Sequence, residues 1–184
     1  MYKRMSVIGA VACAILWTTT ASFAKTAQVQ GFACDVEQPG GATAKFVQEG
    51  KGKYPLVVHI TNPSCYAGAI FPQGVSGLAA TSLSYFITAD SASGTVYPLL
   101  KYNYNGSQQT VSLGYTSFTS LPKGGKQLNY NMQALGVPKG ATINELAIYV
   151  QEYSGDAKAE LDSFSVDGTA ITNKVLATAA CPNF

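Results

Sequence analysis

Hydrophobic and polar residues alternate with a period of two along most of this chain, most clearly over residues 143–168, INELAIYVQEYSGDAKAELDSFSVDG. Leu146, Ile148 and Val150 share one parity, and Ala147, Tyr149, Gln151 and Tyr153 share the other. Successive side chains of a strand leave opposite faces, so this pattern predicts a half-buried strand with one face in the core and the other open to a ligand. A second strand is expected around Ala159, Leu161, Phe164 and Val166, ending in the turn signal Asp167-Gly168.

The same rhythm runs back towards the N-terminus. Between residues 25 and 184 no helical periodicity, low-complexity tract or charge block stands out. Short runs rich in Val, Ile, Tyr, Phe and Thr recur instead, about a dozen residues apart and bounded by Gly, Pro, Asn, Asp and Ser. They predict strands near 29–34, 54–60, 67–71, 81–89, 95–104, 110–118, 126–133, 143–153 and 158–166. Asn62-Pro63-Ser64, Asn105-Gly106, Pro122-Lys123-Gly124-Gly125 and Pro138-Lys139-Gly140 punctuate them, because Gly supplies positive φ and Pro fixes a turn corner. About nine hairpin-connected strands predict an all-β fold, a two-sheet antiparallel β-sandwich of jelly-roll type. An immunoglobulin-like sandwich is the second choice, without the usual buried Trp and flanking cysteines.

The first residues follow different rules. Lys3-Arg4, an apolar run from Met5 to Trp17 and the small-residue exit TTTASFA form a secretory signal peptide, with cleavage expected after Ala24. The run is shorter than the roughly 18 residues that span a bilayer, so no membrane anchor is expected. Residues 25–184 then form one domain, delivered to the periplasm, the cell surface or the medium. Removing Lys3 and Arg4 from the 12 basic residues leaves ten lysines against 10 acids, and no arginine. Scattered lysines cannot neutralise a phosphate backbone, which excludes nucleic acid as a partner. Trp17 falls in the signal segment, so aromatic recognition must rest on tyrosine and phenylalanine.

Several pieces together resemble the carbohydrate-binding modules of the galactose-binding-like jelly rolls over most of residues 28–168. They are the opening Gly31-Phe32, GKYPLVVHI from Gly52, CYAGAIFP from Cys65, LSYFITAD from Leu83, TVYPLLKYN from Thr95, and the closing VPKGATINELAIYV and AELDSFSVDG. The resemblance implies a binding domain without catalysis. It also implies a structural calcium in many members, held by an acidic residue after the opening phenylalanine and by the aspartate of the last strand. Here Ala33 takes the first place and Asp162 matches the second, with Asp35 or Glu37 as further donors. Calcium needs six to eight oxygens, so Asp162 would act largely with backbone carbonyls. No other cofactor is expected. In this architecture the first and last segments lie close together, which favours a disulfide between Cys34 and Cys181; Cys65 with either of them is the rival pairing.

In such a sandwich the strands at 67–71, 95–104, 110–118 and 143–153 share one sheet. Its outer face, the usual glycan groove, would present Tyr97, Lys101 and Asn103 on one strand and Tyr149, Gln151 and Tyr153 on its neighbour, with Val96, Leu100 and Tyr102 turned inward. Flat rings cover the C–H faces of a sugar while amides and ammonium groups read its hydroxyls. Tyr66, Tyr104, Asn105 and Gln108 form a second candidate at the loops. The lone His59 lies within an apolar strand, and no GxSxG elbow accompanies it. The acids Glu145, Glu152, Asp156, Glu160 and Asp162 cluster in sequence at turns and strand ends, where solvated carboxylates are expected. The expected function is non-covalent recognition of a polysaccharide or glycan. Contact with another protein, as in adhesion, is the alternative, and a small polysaccharide-active enzyme the third.

Overall fold

The alternating segments become strands in a computed structural model that describes residues 26–35, 39–50, 53–90, 93–153 and 156–184. The expected signal segment at 1–24, Glu37 and parts of the turns at 51–52 and 91–92 lie outside the described residues. In chain order the strands are β1 (Gln28–Cys34), β2 (Ala42–Phe46), β3 (Leu56–Ile60), β4 (Tyr66–Gln73), β5 (Ser82–Ala89), β6 (Thr95–Tyr104) and β7 (Ser107–Ser112). They continue as β8 (Thr116–Ser117), β9 (Lys126–Asn131), β10 (Thr142–Gln151), β11 (Ala157–Val166), β12 (Thr169–Ala170) and β13 (Asn173–Ala179). One sheet has the order β13-β1-β4-β10-β6-β7, with β8 also on β6; the other has the order β2-β3-β11-β5-β9, with β12 on β11.

The result is a two-sheet β-sandwich, and among the described residues all but one of its strand pairings are antiparallel. The exception is β13, which runs parallel to β1. Three strands were not expected from the sequence: β2, β12 and β13. Conversely, the strand expected over 110–118 is broken. Leu113 turns into the core, Gly114 adopts φ 109°, and the chain resumes as β8 and a 3-10 turn at Phe118–Ser120. The hairpin at Asn105-Gly106 is as expected, with φ of 49° and 77° at the two turn residues.

Between the sheets lies one hydrophobic core. Parity delivers Leu146, Ile148 and Val150 from β10, Val96, Leu100 and Tyr102 from β6, and Leu56, Val58 and Ile60 from β3. Phe71 of β4 meets Phe164 of β11 edge-on across the sandwich, ring centroids 5.8 Å apart. Tyr85, fully buried, stacks on Tyr130 and shares a hydrogen bond of 3.1 Å with its hydroxyl. Burial pushes the Tyr85 phenol well above its ordinary range. Among the described residues no helix is long and apolar enough to cross a membrane.

A disulfide joins Cys34 to Cys181 across 147 residues of sequence, and Cys65 is buried outside that bond. Cys34 ends β1 and Cys181 follows β13, so the bond continues the parallel pairing of these two strands. Closing a loop of this length removes about 5 kcal/mol of unfolded-state entropy in the chain-entropy account. We therefore expect the double variant Cys34→Ser/Cys181→Ser to melt lower by on the order of 10 °C in a calorimetric scan. An unchanged melting temperature would show that the bond contributes nothing to the fold.

Candidate functional site

The outer face of the β13-to-β7 sheet is ordered by strand register. Tyr149 of β10 lies between Gly68 of β4 and Tyr97 of β6, and Gln151 lies between Tyr66 and Thr95. On β1, Phe32 pairs with Gly68 and Cys34 with Tyr66. Towards the other end, Ala147 lies between Ile70 and Leu99, and Glu145 pairs with Lys101. The parity expected from the sequence is correct: Tyr97, Lys101, Asn103, Tyr149 and Gln151 share this face.

Accessibility departs from the expectation. After Cys181 the chain crosses the sheet, and Phe32, Ala147 and Tyr149 are buried although they stand on the outward parity. They form a second apolar cluster, with Tyr66, Ile70, Tyr97, Leu99, Ala179 and Phe184 packed around it. Tyr149 meets Phe32 at 4.8 Å and Phe184 at 6.0 Å, both edge-on, and its hydroxyl donates to the Pro182 carbonyl at 3.3 Å. Lys101 pairs with Glu145 at 2.9 Å, donates to the Asn183 carbonyl, and holds its ammonium 5.0 Å from the centre of the Phe184 ring. Tyr149 and Lys101, expected to meet a ligand, instead anchor the tail. Phe184 separates the Tyr97 end of the face from Lys101 and Asn103, so the six expected residues do not form one continuous surface.

What remains open is a patch of tyrosines. Tyr97 is stacked on Tyr149, centroids 5.5 Å apart and planes 11° apart, and lies 4.9 Å from Tyr115. Tyr115 and Tyr153 are 68% and 54% exposed, and the Tyr153 hydroxyl reaches Thr95 Oγ1 at 3.0 Å. Tyr66, expected at the loops, joins this patch, whereas Tyr104, Asn105 and Gln108 lie at the β6–β7 hairpin. Tyr115 was missed because it sits just before β8, where a single long strand was expected; its neighbour Gly114 was the available signal.

Of the acids, Glu49, Glu160 and Asp162 line one cleft of about 350 Å³ together with Lys53. Glu145 faces the tail, Asp156 meets His59 at 2.8 Å, and Glu160 meets Lys158 at 3.3 Å. Glu152, expected among solvated acids, is fully buried. Asp162 Oδ1 lies 3.9 Å from Lys174 Nζ, and among the described residues no three His, Cys, Asp or Glu side chains come together as a metal site. Of the other expected calcium donors, Asp35 accepts from the Gly40 N–H at 2.8 Å and Glu37 lies outside the described residues. Clefts occur on the opposite sheet, one of about 490 Å³ lined by Ser82, Ser84, Asn129, Asn131, Gln133 and Ser165 among others. That cleft is rich in hydroxyls and amides, with Tyr130 as its one ring; two others carry Tyr54 and Phe86 in their linings.

No family model matches the chain, and no curated protein matches it. Solved structures similar to it include a family 11 carbohydrate-binding module from Clostridium thermocellum in complex with a β-1,3-1,4-mixed-linked tetrasaccharide, at 12% identity and TM-score 0.49, covering 78% of this chain and 91% of that one. The CBM22-1 xylan-binding domain from Paenibacillus barcinonensis is similar at 15% identity and TM-score 0.45, covering 78% and 86%. A family 29 carbohydrate-binding module is similar at 10% identity and TM-score 0.46, covering 82% and 84%. Identities this low carry over no binding residue.

Burial, and then the neighbouring phenols of Tyr66, Tyr115, Tyr149 and Tyr153, push Tyr97 up to about 12; burial, and then the Glu145 carboxylate, push Tyr149 up to about 12. A phenol that binds its proton more tightly when folded gives stability that is full below the ordinary 10.0 and is lost as pH rises towards about 12. Tyr97→Phe should therefore lose less stability than wild type between those two pH values. Identical slopes of melting temperature against pH would show that Tyr97 is not perturbed.

Proposed function

We propose that this is a secreted, non-catalytic carbohydrate-binding protein that recognises a polysaccharide or glycan on the tyrosine patch of the β13-to-β7 sheet. The observation that supports this most is the stacked Tyr97 ring, flanked by the exposed rings of Tyr115 and Tyr153 and by the Gln151 amide. Ring faces shelter sugar C–H groups from water, and amides and phenol hydroxyls pair with sugar hydroxyls. Lys101, on the same face of the sheet, is engaged by Glu145 and the tail, which favours a neutral sugar. The N-terminal signal and the disulfide are consistent with an oxidising compartment. On the tyrosine patch itself no carboxylate stands beside the open rings of Tyr97, Tyr115 and Tyr153 among the partners described, which supports binding without turnover at that face.

A second reading, contact with another protein, has one observation behind it. β13 is an edge strand, and it exposes Leu176 at 70%. Edge strands are ready templates for added strands.

Retention of the mature protein on insoluble and soluble polysaccharides, with and without calcium, tests the first reading. We expect calcium-independent retention, weakened about tenfold or more by Tyr97→Ala or Tyr153→Ala, equivalent to ~1.4 kcal/mol per ring. Retention that survives both changes in folded variants would remove the patch from the function. No retention on any polysaccharide would put protein contact ahead.

A further inference from the structure

The tail after Cys181 is held by side chains of the outer face itself. The Tyr149 hydroxyl donates to the Pro182 carbonyl at 3.3 Å, and Lys101 donates to the Asn183 carbonyl. The Phe184 ring meets Tyr149 edge-on at 6.0 Å, with the Lys101 ammonium 5.0 Å from its centre. Asn183 is exposed, and Pro182 and Phe184 are only half-buried. Beneath them the face offers two donors, Tyr149 and Lys101, one acceptor, the Glu145 carboxylate 2.9 Å from Lys101, and the apolar cluster that contains Ala147 and Tyr149. A sugar, with hydroxyls at its rim and C–H groups on its faces, uses the same set of partners. Tyr149 stacks on Tyr97 at 5.5 Å, so this covered set adjoins the open patch.

Resting on the glycan reading above, we infer that Tyr149, Lys101 and Glu145 form a further sugar subsite, filled by the chain's own Pro182-Asn183-Phe184, and that a glycan long enough to extend from Tyr97 past Tyr149 displaces this segment. Each tail carbonyl takes a donor that a sugar oxygen can take in its place. A sugar hydroxyl can also donate to Glu145, which a carbonyl cannot. Displacement needs no covalent change, because the segment follows Cys181 and the bond to Cys34 stays closed while residues 182–184 swing away. Only the form with the tail displaced offers the subsite, so affinity for a long glycan is lowered by the fraction of molecules in that form. A short sugar confined to Tyr97, Tyr115 and Tyr153 does not meet this cost. The tail is thus a competitor in cis that sets how affinity grows with glycan length.

The experiment is calorimetric titration of the mature, disulfide-bonded protein with disaccharides and hexasaccharides of cellulose, mannan and xylan, alongside nuclear Overhauser contacts between the Phe184 and Tyr149 rings. We expect the ring contact to persist at saturating disaccharide and to vanish at saturating hexasaccharide. Phe184→Ala, with the disulfide intact and the melting curve cooperative, should bind hexasaccharide about tenfold tighter than wild type and disaccharide equally well. Adding Lys101→Met to Phe184→Ala should remove that gain. A Phe184–Tyr149 contact that survives saturation with hexasaccharide, or equal affinity of wild type and Phe184→Ala for hexasaccharide, would overturn the inference while leaving the glycan reading in place. Weaker binding of both lengths by Phe184→Ala would also overturn it, since the tail would then support the patch rather than compete for its extension. No binding of any of these sugars by either protein would defeat the glycan reading and the inference with it.

Discussion

The covalent tie between Cys34 and Cys181 sits on the outward parity of β1, and the arrangement of the whole outer face depends on that placement. Had Cys34 pointed inward, the bond would have lain within the core and the following residues could have left the domain at its edge. Because it points outward, the chain after Cys181 is delivered onto the sheet. Phe32, Ala147 and Tyr149 are then buried on a face that alternation alone would leave wet. The sheet is packed on both sides near β1 and the middle of β10, and its outer side opens towards β6, β7 and β8.

This explains how neutral rings are presented in a fixed orientation. An isolated exposed tyrosine loses side-chain freedom on binding a ligand, and that loss weakens the complex. Tyr97 is already stacked against a buried Tyr149, which is itself clamped between Phe32 and Phe184. The ordering therefore occurs during folding, where core burial offsets it. Gly68 makes the arrangement possible: a Cβ there would lie 1.9 Å from the Ile148 carbonyl oxygen and 3.2 Å from the Phe32 ring. β1 and β10 can carry large rings on either side of β4 because β4 carries none between them.

Much of the sandwich was legible in the sequence because a period of two is a local signal. The strands at 95–104 and 143–153 were placed within two residues, and the inward and outward sets on β10 and β6 were assigned correctly. The strands that escaped notice are short or weakly alternating: β2 carries Lys45 and two alanines, and β13 is mostly exposed. The fate of the tail was not legible either. CPNF has no periodicity, and nothing local reveals which surface a short segment will cover. The pairing of Cys34 with Cys181 was expected, yet its consequence required the parity of Cys34 to be read together with the bond. The residues expected to bind divided accordingly: Tyr97, Gln151 and Tyr153 stayed at least partly open, whereas Tyr149 and Lys101 were taken by a contact spanning distant parts of the chain.

The opposite sheet offers the more polar cleft, and the reason to rank it below the tyrosine patch is energetic. Ser82, Ser84, Asn129 and Asn131 supply donors and acceptors in plenty, but a hydroxyl exchanged from water to a protein amide gains only about 1 kcal/mol net. The Tyr130 ring lining that cleft is stacked on Tyr85 at 5.9 Å, on the core side of β9. A sugar lying there would meet the buried Leu83 and the half-buried Tyr130 rather than a set of exposed rings. On the tyrosine patch each ring removes area on both partners at about 25 cal/mol per Å², a gain that water does not match. Under the proposed function, polar groups would select among sugars that the rings hold, so a face with fewer hydrogen-bonding groups and fixed rings is the stronger candidate.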